Sequence, residues 1–281
     1  MSVHLRVFQK THLGDGETAY YMEKYQGEDR VVSSHEVVKE QGSFKDIPRL
    51  KSGINGLDKL CDGFLPGEMI VLTGQTKMGK TSIARTLTEQ FIEQGHECLW
   101  FSYEEPYNQF LASFEPLPKF YLPRQLIRKD AAWIEQRIIE AKAKYGIKAV
   151  FVDHLGYLID AFQFRNAALE IGSIVRQIRL LALKHEIVLF LLHHVKRISE
   201  NKNPTHHDLR DSELIAAEAS AVLIIWRTKT QGAYGDFSTL AVDIHRRTGV
   251  REKRIKLKYN GKRFEEVDAF AFMEDVPVPK I

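Results

Sequence analysis

Cysteine is nearly absent: Cys61 and Cys98 are the only two in 281 residues. They lie far apart and show no metal spacing. A disulfide framework is excluded, and two reduced thiols of a cytoplasmic protein are expected. No apolar run approaches the roughly 20 residues that a membrane span needs, and the N-terminus lacks a signal-peptide core, so no membrane partner is expected. There is no internal repeat and no low-complexity tract. Charge of one sign is also scarce, with 40 Lys and Arg against 37 Asp and Glu. A net charge of +3 gives no global attraction to nucleic acid, so any DNA contact must come from local patches. What is present, 44% hydrophobic and 27% charged residues, describes an ordinary globular chain. Its length suits one large α/β domain with a small appendage.

One phosphate-binding loop is complete. Gly74-Gln75-Thr76-Lys77-Met78-Gly79-Lys80-Thr81 fits G-x-x-x-x-G-K-S/T at every fixed position, and Ser82 continues it. Met69–Thr73 before it reads as a buried strand, and Ser82–Gln94 after it as a helix. The glycines let the backbone wrap phosphates, while amides and the helix N-terminus supply positive potential. The Lys reaches the β- and γ-phosphates and the Thr hydroxyl ligates Mg²⁺. ATP and Mg²⁺ are the expected ligands.

Residues 1–47 differ from the rest, with scattered apolar residues interrupted by polar clusters. Short strands are expected at His4–Gln9 and Ala19–Lys24, and a short helix at Val37–Gln41, in a small module or docking arm. Residues 48–270 are regular, and 271–281 form a tail. Met69–Thr73, Cys98–Ser102, Ala149–Asp153, Val188–Leu192 and Ala221–Trp226 are short continuous apolar runs, as in strands buried on both faces. Helical stripes separate several of them, including Trp133–Tyr145 and Asn166–His185. That alternation predicts a mostly parallel central sheet with helices on both faces. Thr239–His245, Arg254–Tyr259 and Arg263–Val267 alternate and are joined by turns, which predicts antiparallel C-terminal edge strands.

Four further groups are expected at strand carboxyl ends, where open α/β sheets bind ligands. Asp153 ends an apolar strand and suits the Mg²⁺ shell beside Thr81. Glu104 and Glu105 follow Leu99–Tyr103, and one of them could deprotonate water, or both form a solvated turn. His193 and His194 end a third strand, with no acidic cluster beside them in sequence; a residue there could sense the γ-phosphate, or one ring is packed and the other exposed. His245-Arg246-Arg247-Thr248-Gly249 is either a hairpin end or a source of arginine for a neighbour's nucleotide. Candidate DNA contacts are Arg165, within Asp160–Asn166 beside Phe162 and Phe164, and Lys196, Arg197, Lys202 and Arg210 within the basic loop Val195–Ser212.

In this order, the motifs resemble the motor domain of the DnaB-type replicative helicases, within the RecA-like P-loop ATPases. The resemblance covers about residues 50–267. It includes Ser52-Gly-Ile-Asn-Gly-Leu-Asp58 and Gly63-Phe-Leu-Pro-Gly67, a lead-in shared with RadA and KaiC. Phe101-Ser-Tyr-Glu-Glu-Pro106 is similar to F-S-L-E-M-P, and Val152-Asp-His-Leu-Gly-Tyr-Leu158 to I-D-Y-L-Q-L. The discriminating pair is Pro204-Thr-His-His-Asp-Leu-Arg-Asp-Ser212, similar to P-x-x-x-D-L-R-x-S-G, and His245–Gly249, similar to K-x-R-N-G.

The resemblance implies Glu104 as catalytic base, Arg247 as a trans-acting arginine finger and His194 in the sensor position. It implies a hexameric ring on single-stranded DNA, with primase or other replication proteins as partners. The short N-terminal stretch resembles that of phage- or plasmid-type members, which places the chain in a host's cytoplasm. Departures from the family pattern are His193-His194 for S-Q, His245 for Lys, and Glu213 for Gly. A RadA-like DNA-remodelling ATPase and a KaiC-like regulatory ATPase acting on proteins are the alternatives.

Overall fold

The computed structural model describes residues 4–12, 18–25, 34–35, 47–126, 130–158, 167–195, 204–208, 213–230 and 233–267. The helix expected at Val37–Gln41 and the tail lie outside them. The chain divides into two compact units, Met1–Ile47 and Pro48–Ile281. In the first, β1 (His4–His12) and β2 (Thr18–Tyr25) pair antiparallel, with a register shift between Val7 and Gln9.

The second unit is built on an eight-stranded sheet. Its strands are β3 (Met69–Gly74), β4 (Cys98–Ser102), β5 (Ala149–Asp153), β6 (Val188–His194), β7 (Ala221–Thr230), β8 (Ala233–His245), β9 (Arg251–Tyr259) and β10 (Phe264–Glu266). They lie in the order β10-β9-β8-β7-β3-β6-β5-β4. The five strands from β7 to β4 are parallel, and β8, β9 and β10 return antiparallel at one edge. Its helices are α1 (Asn55–Cys61), α2 (Lys80–Glu93), α3 (Tyr107–Ala112), α4 (Ala131–Tyr145), α5 (Ala167–Lys184) and α6 (Glu213–Glu218).

Because side chains alternate along a strand, each continuous apolar run feeds two cores. Ile70, Leu72, Trp100, Phe151 and Phe190 pack with Leu57 of α1, Ile83, Leu87 and Phe91 of α2 and Phe110 of α3. Val71, Phe101, Val150, Val152 and Leu191 pack with Ile134 and Ile138 of α4, Val175 and Ile178 of α5 and Ile215 of α6. Trp100, Phe151 and Phe190 occupy one rung of β4, β5 and β6. Their rings stack at 4.6 and 4.8 Å, and the Trp100 indole N–H donates to Thr88 Oγ1 at 2.9 Å. This rung fixes the height of β4 and β5, and so the positions of Glu104 and Asp153 just beyond it.

Two expectations need correction. The helix after the phosphate loop begins at Lys80, two residues before the reading from Ser82. The His245–Gly249 cluster does not lie at the loop's edge of the sheet. β8 runs against β7, so His245 pairs with Ala221, and Ala221 pairs with Ile70 near the start of β3. The hairpin is therefore about 13 Å or more along the strands from Gly74, taking 3.3 Å per residue.

Candidate active site

The phosphate loop leaves the carboxyl end of β3, the central strand between β6 and β7. Glycine is required at two places. A Cβ on Gly74 would collide with the carbonyl oxygen of Ile225. Gly79 has φ +100° and caps α2, with the Phe264 ring 3.0 Å from where a Cβ would stand. Thr76 and Lys77 are exposed at the turn, while Met78 and Lys80 are buried. Lys80 Nζ donates to the carbonyls of Gly74 and Gln75, each at 3.1 Å, so the side chain folds back along the loop.

Asp153 ends β5 and is almost fully buried. Its Oδ2 accepts from Thr81 Oγ1 at 2.8 Å, and its Oδ1 is buried without a hydrogen-bond partner. Burial pushes the Asp153 carboxyl up to about 7, with the Thr81 hydrogen bond opposing and Glu104 reinforcing. Burial also pulls Lys80 down to about 8, against the pull of Glu104 and Asp153. Both shifts are those of charges buried away from water, and a magnesium polyphosphate would supply the missing counter-charge to each. The orphaned Oδ1 beside the Thr81 hydroxyl is a hard oxygen pair that fits Mg²⁺.

Glu104 and Glu105 are exposed just past β4. The Tyr103 amide donates to Asp153 O at 2.7 Å, which ties that turn to the end of β5. His193 is buried and pairs with Thr73; His194 pairs with Gly74 and is half-buried. One ring is thus packed, while the other is half-buried and not exposed. An acid does lie beside His194 in space: Glu104, His154 and His194 each offer a ligand atom within 4.8 Å of the others. The sequence separates them by 40 residues or more, which is why no cluster is visible there. His154 is held near pKa 4 by burial, with Lys80 adding to the effect.

Beside Gly79, a pocket of about 340 Å³ is lined by Lys77, Ser82, Arg227, Asp236, Lys258, Tyr259 and Phe264. Sequence reading missed it. Its floor comes from the antiparallel edge strands, and an alternating strand carries no signal of which loop it will face.

Arg247 stands at the opposite edge. It donates to Glu68 Oε1 at 2.8 Å, Cys61 O at 2.7 Å and Gly63 O at 2.6 Å. Arg246 is also engaged, with the carbonyls of Ala219 and Ala217. Of the basic loop, Val195 and Pro204–Asp208 are described. The latter carries a short 3-10 turn, and the His206 amide and ring both meet Asp243 Oδ2. Arg165, Lys196, Arg197, Lys202 and Arg210, with Phe162 and Phe164, lie outside the described residues.

The model of the DnaB-like helicase C-terminal domain matches residues 49–114 and 126–266, well over half of the chain. The chain belongs to the DnaB-like helicase C-terminal domain family. It is 23% identical over 286 residues to the replicative DNA helicase DnaB of Pasteurella multocida (strain Pm70), an alignment covering 88% of this chain and 61% of that protein. This DnaB-like chain thus spans about three fifths of that relative's length. A DnaB-like replicative helicase, solved with attention to its interactions with primase, shares the fold at TM-score 0.71 and 15% identity, covering 85% of this chain and 68% of that one. A separately solved ATPase domain also gives TM-score 0.71 at 15% identity, covering 83% of this chain and 97% of that domain. The RecA-like fold expected from the motifs is thereby shown.

Proposed function

We propose that this DnaB-like chain is an ATP-hydrolysing motor subunit that assembles into a hexameric ring and moves along single-stranded DNA. The observation that carries the reading is the Thr81–Asp153 pair with its orphaned carboxylate oxygen, set beside Lys80.

On ATP binding, Lys80 exchanges its two loop carbonyls for β- and γ-phosphate oxygens. The loop amides and the N-terminus of α2 hold the same charge from below. Thr81 and Asp153 would hold Mg²⁺, which when bound neutralises charge on the phosphates and orients them for in-line attack. Glu104 lies outside this shell, where an exposed carboxylate can orient and deprotonate the attacking water. His194, which pairs with Gly74, carries the state of the γ-phosphate into the loop that follows β6. The pocket with Arg227 and Tyr259 suits the nucleobase, through cation and ring stacking.

Arg247 lies too far along the sheet to reach its own phosphates. As a finger it serves the neighbouring subunit, and must first leave Glu68. Lys196, Arg197, Lys202, Arg210 and Arg165 are the proposed DNA contacts. Primase is the protein partner carried over from the structural relative described with it. Among the described residues no helix is long and apolar enough to cross a membrane, and work on replicating DNA places the protein in the cytoplasm.

ATPase rate with and without a single-stranded oligonucleotide, together with mass in the presence of a non-hydrolysable analogue, tests this. Stimulated turnover by a hexamer is expected. A protein that stays monomeric with nucleotide and ignores DNA would overturn it in favour of a regulatory ATPase.

A further inference from the structure

The geometry points to a second metal site, distinct from that for Mg²⁺: Glu104, His154 and His194 bind one divalent transition ion of the zinc class. Two departures from the family pattern converge here. His154 stands where I-D-Y-L has Tyr, and His194 where the sensor has Gln. The sheet brings the two rings to 4.5 Å between centroids, near perpendicular, and Glu104 beside them.

One carboxylate and two imidazoles form a donor set of the kind that holds three corners of a zinc site and leaves the fourth open. Softness separates it from its neighbour. Thr81 and Asp153 offer oxygen only and suit Mg²⁺, whereas imidazole nitrogen favours zinc, copper or nickel. Donor atoms around a tetrahedral zinc stand roughly 3.3 Å apart. Here they lie within 4.8 Å, so the site closes by torsion of the exposed Glu104 and a small ring movement. His154 Nδ1 now accepts from the Gly156 amide at 2.9 Å. Binding therefore either replaces that bond at Nδ1, or uses Nε2 after the ring proton moves to Nδ1. Both routes shift the Leu155–Leu158 turn.

Occupation has a consequence that rests on the proposed function. A Glu104 oxygen bound to the ion is no longer a free base, so zinc inhibits turnover while Mg²⁺ sustains it. Binding itself does not depend on that reading.

The test is calorimetric titration of the full chain with ZnCl₂, without nucleotide and with millimolar Mg²⁺ filling the oxygen sites. One ion is expected to bind at micromolar or tighter concentration. His154→Tyr and His194→Gln, which restore the family residues, should each weaken it at least tenfold. Thr81→Ala should leave it unchanged, and circular dichroism checks that every variant is folded. Binding absent below about 100 μM, or equal in wild type and both histidine variants, overturns the site. In parallel, zinc should inhibit wild-type ATPase and spare the folded His154→Tyr variant if that variant turns over. Tight zinc binding with no inhibition keeps the site and overturns Glu104 as base.

Discussion

Arg247 Nε donates to Glu68 Oε1 at 2.8 Å, and the pair is largely shielded from water. Two further donations to Cys61 O and Gly63 O make the guanidinium a clamp between the β8–β9 turn and the loop after α1. Arg247→Ala leaves Glu68 half of a buried pair. It should destabilise the second unit by about 3 kcal/mol. Thermal unfolding of the variant, compared with Arg247→Lys, measures this; an unchanged midpoint would show that the clamp adds nothing.

The finger role is separable from the clamp by mixing subunits. Lys80→Ala lacks a working phosphate loop but keeps Arg247, and Arg247→Ala has the converse defect. If the arginine acts in trans, about one interface in four of a mixed ring is complete. Turnover should then reappear on mixing two inactive proteins. A mixture as inert as its parents removes Arg247 from the neighbour's site.

Gly74→Ala drives a methyl into the Ile225 carbonyl. Overpacking of this kind costs about 1–3 kcal/mol. The strain falls where β3 meets the loop, so nucleotide affinity should drop at least tenfold while the far edge stays ordered. Fluorescent-nucleotide titration reports it, and parental affinity would mean that the backbone moves aside freely.

Asp243 anchors the start of the segment that carries the family's D-L-R motif, through the His206 amide at 2.9 Å and its ring. Asp243→Asn keeps the shape and removes the charge. DNA-stimulated turnover should fall several-fold while the rate without DNA stays near parental. Equal loss of both rates would assign Asp243 to general stability.

Cys61 and Cys98 are both fully buried, and burial pushes their thiols up, Cys61 to about 12. A thiolate is the reactive form, so neither should react with a thiol reagent at neutral pH in the folded protein. Both should react on unfolding in urea. Rapid labelling of the native chain would contradict the placement of α1 and β4.

Most of the second unit was legible because its strands are buried on both faces, and such strands write themselves as unbroken apolar runs. Asp153 was readable for the same reason, as the first polar residue after Val152. The antiparallel return of Thr239–His245 was legible too, from its alternation and turns. Its consequence was not drawn: the carboxyl end of a reversed strand lies at the rim away from the phosphate loop, so the His245–Gly249 turn was placed at the wrong rim. Tyr259 and Phe264 escaped notice because an aromatic in an alternating strand looks the same whether it faces a core or the phosphate loop. His154 was quoted only as part of a family match, since its partners Glu104 and His194 arrive from other strands.

The reversal of the sheet at β8 has a consequence for assembly. Five parallel strands gather the phosphate loop, Asp153 and Glu104 at one rim, and the returning strands deliver a basic turn to the other. A subunit built this way has unlike ends. If the proposed finger serves a neighbour held in the same orientation, each copy gives one end forward and receives one behind. Such a chain of donors and receivers closes into a circle or runs on as a filament, and either way it carries an arrow.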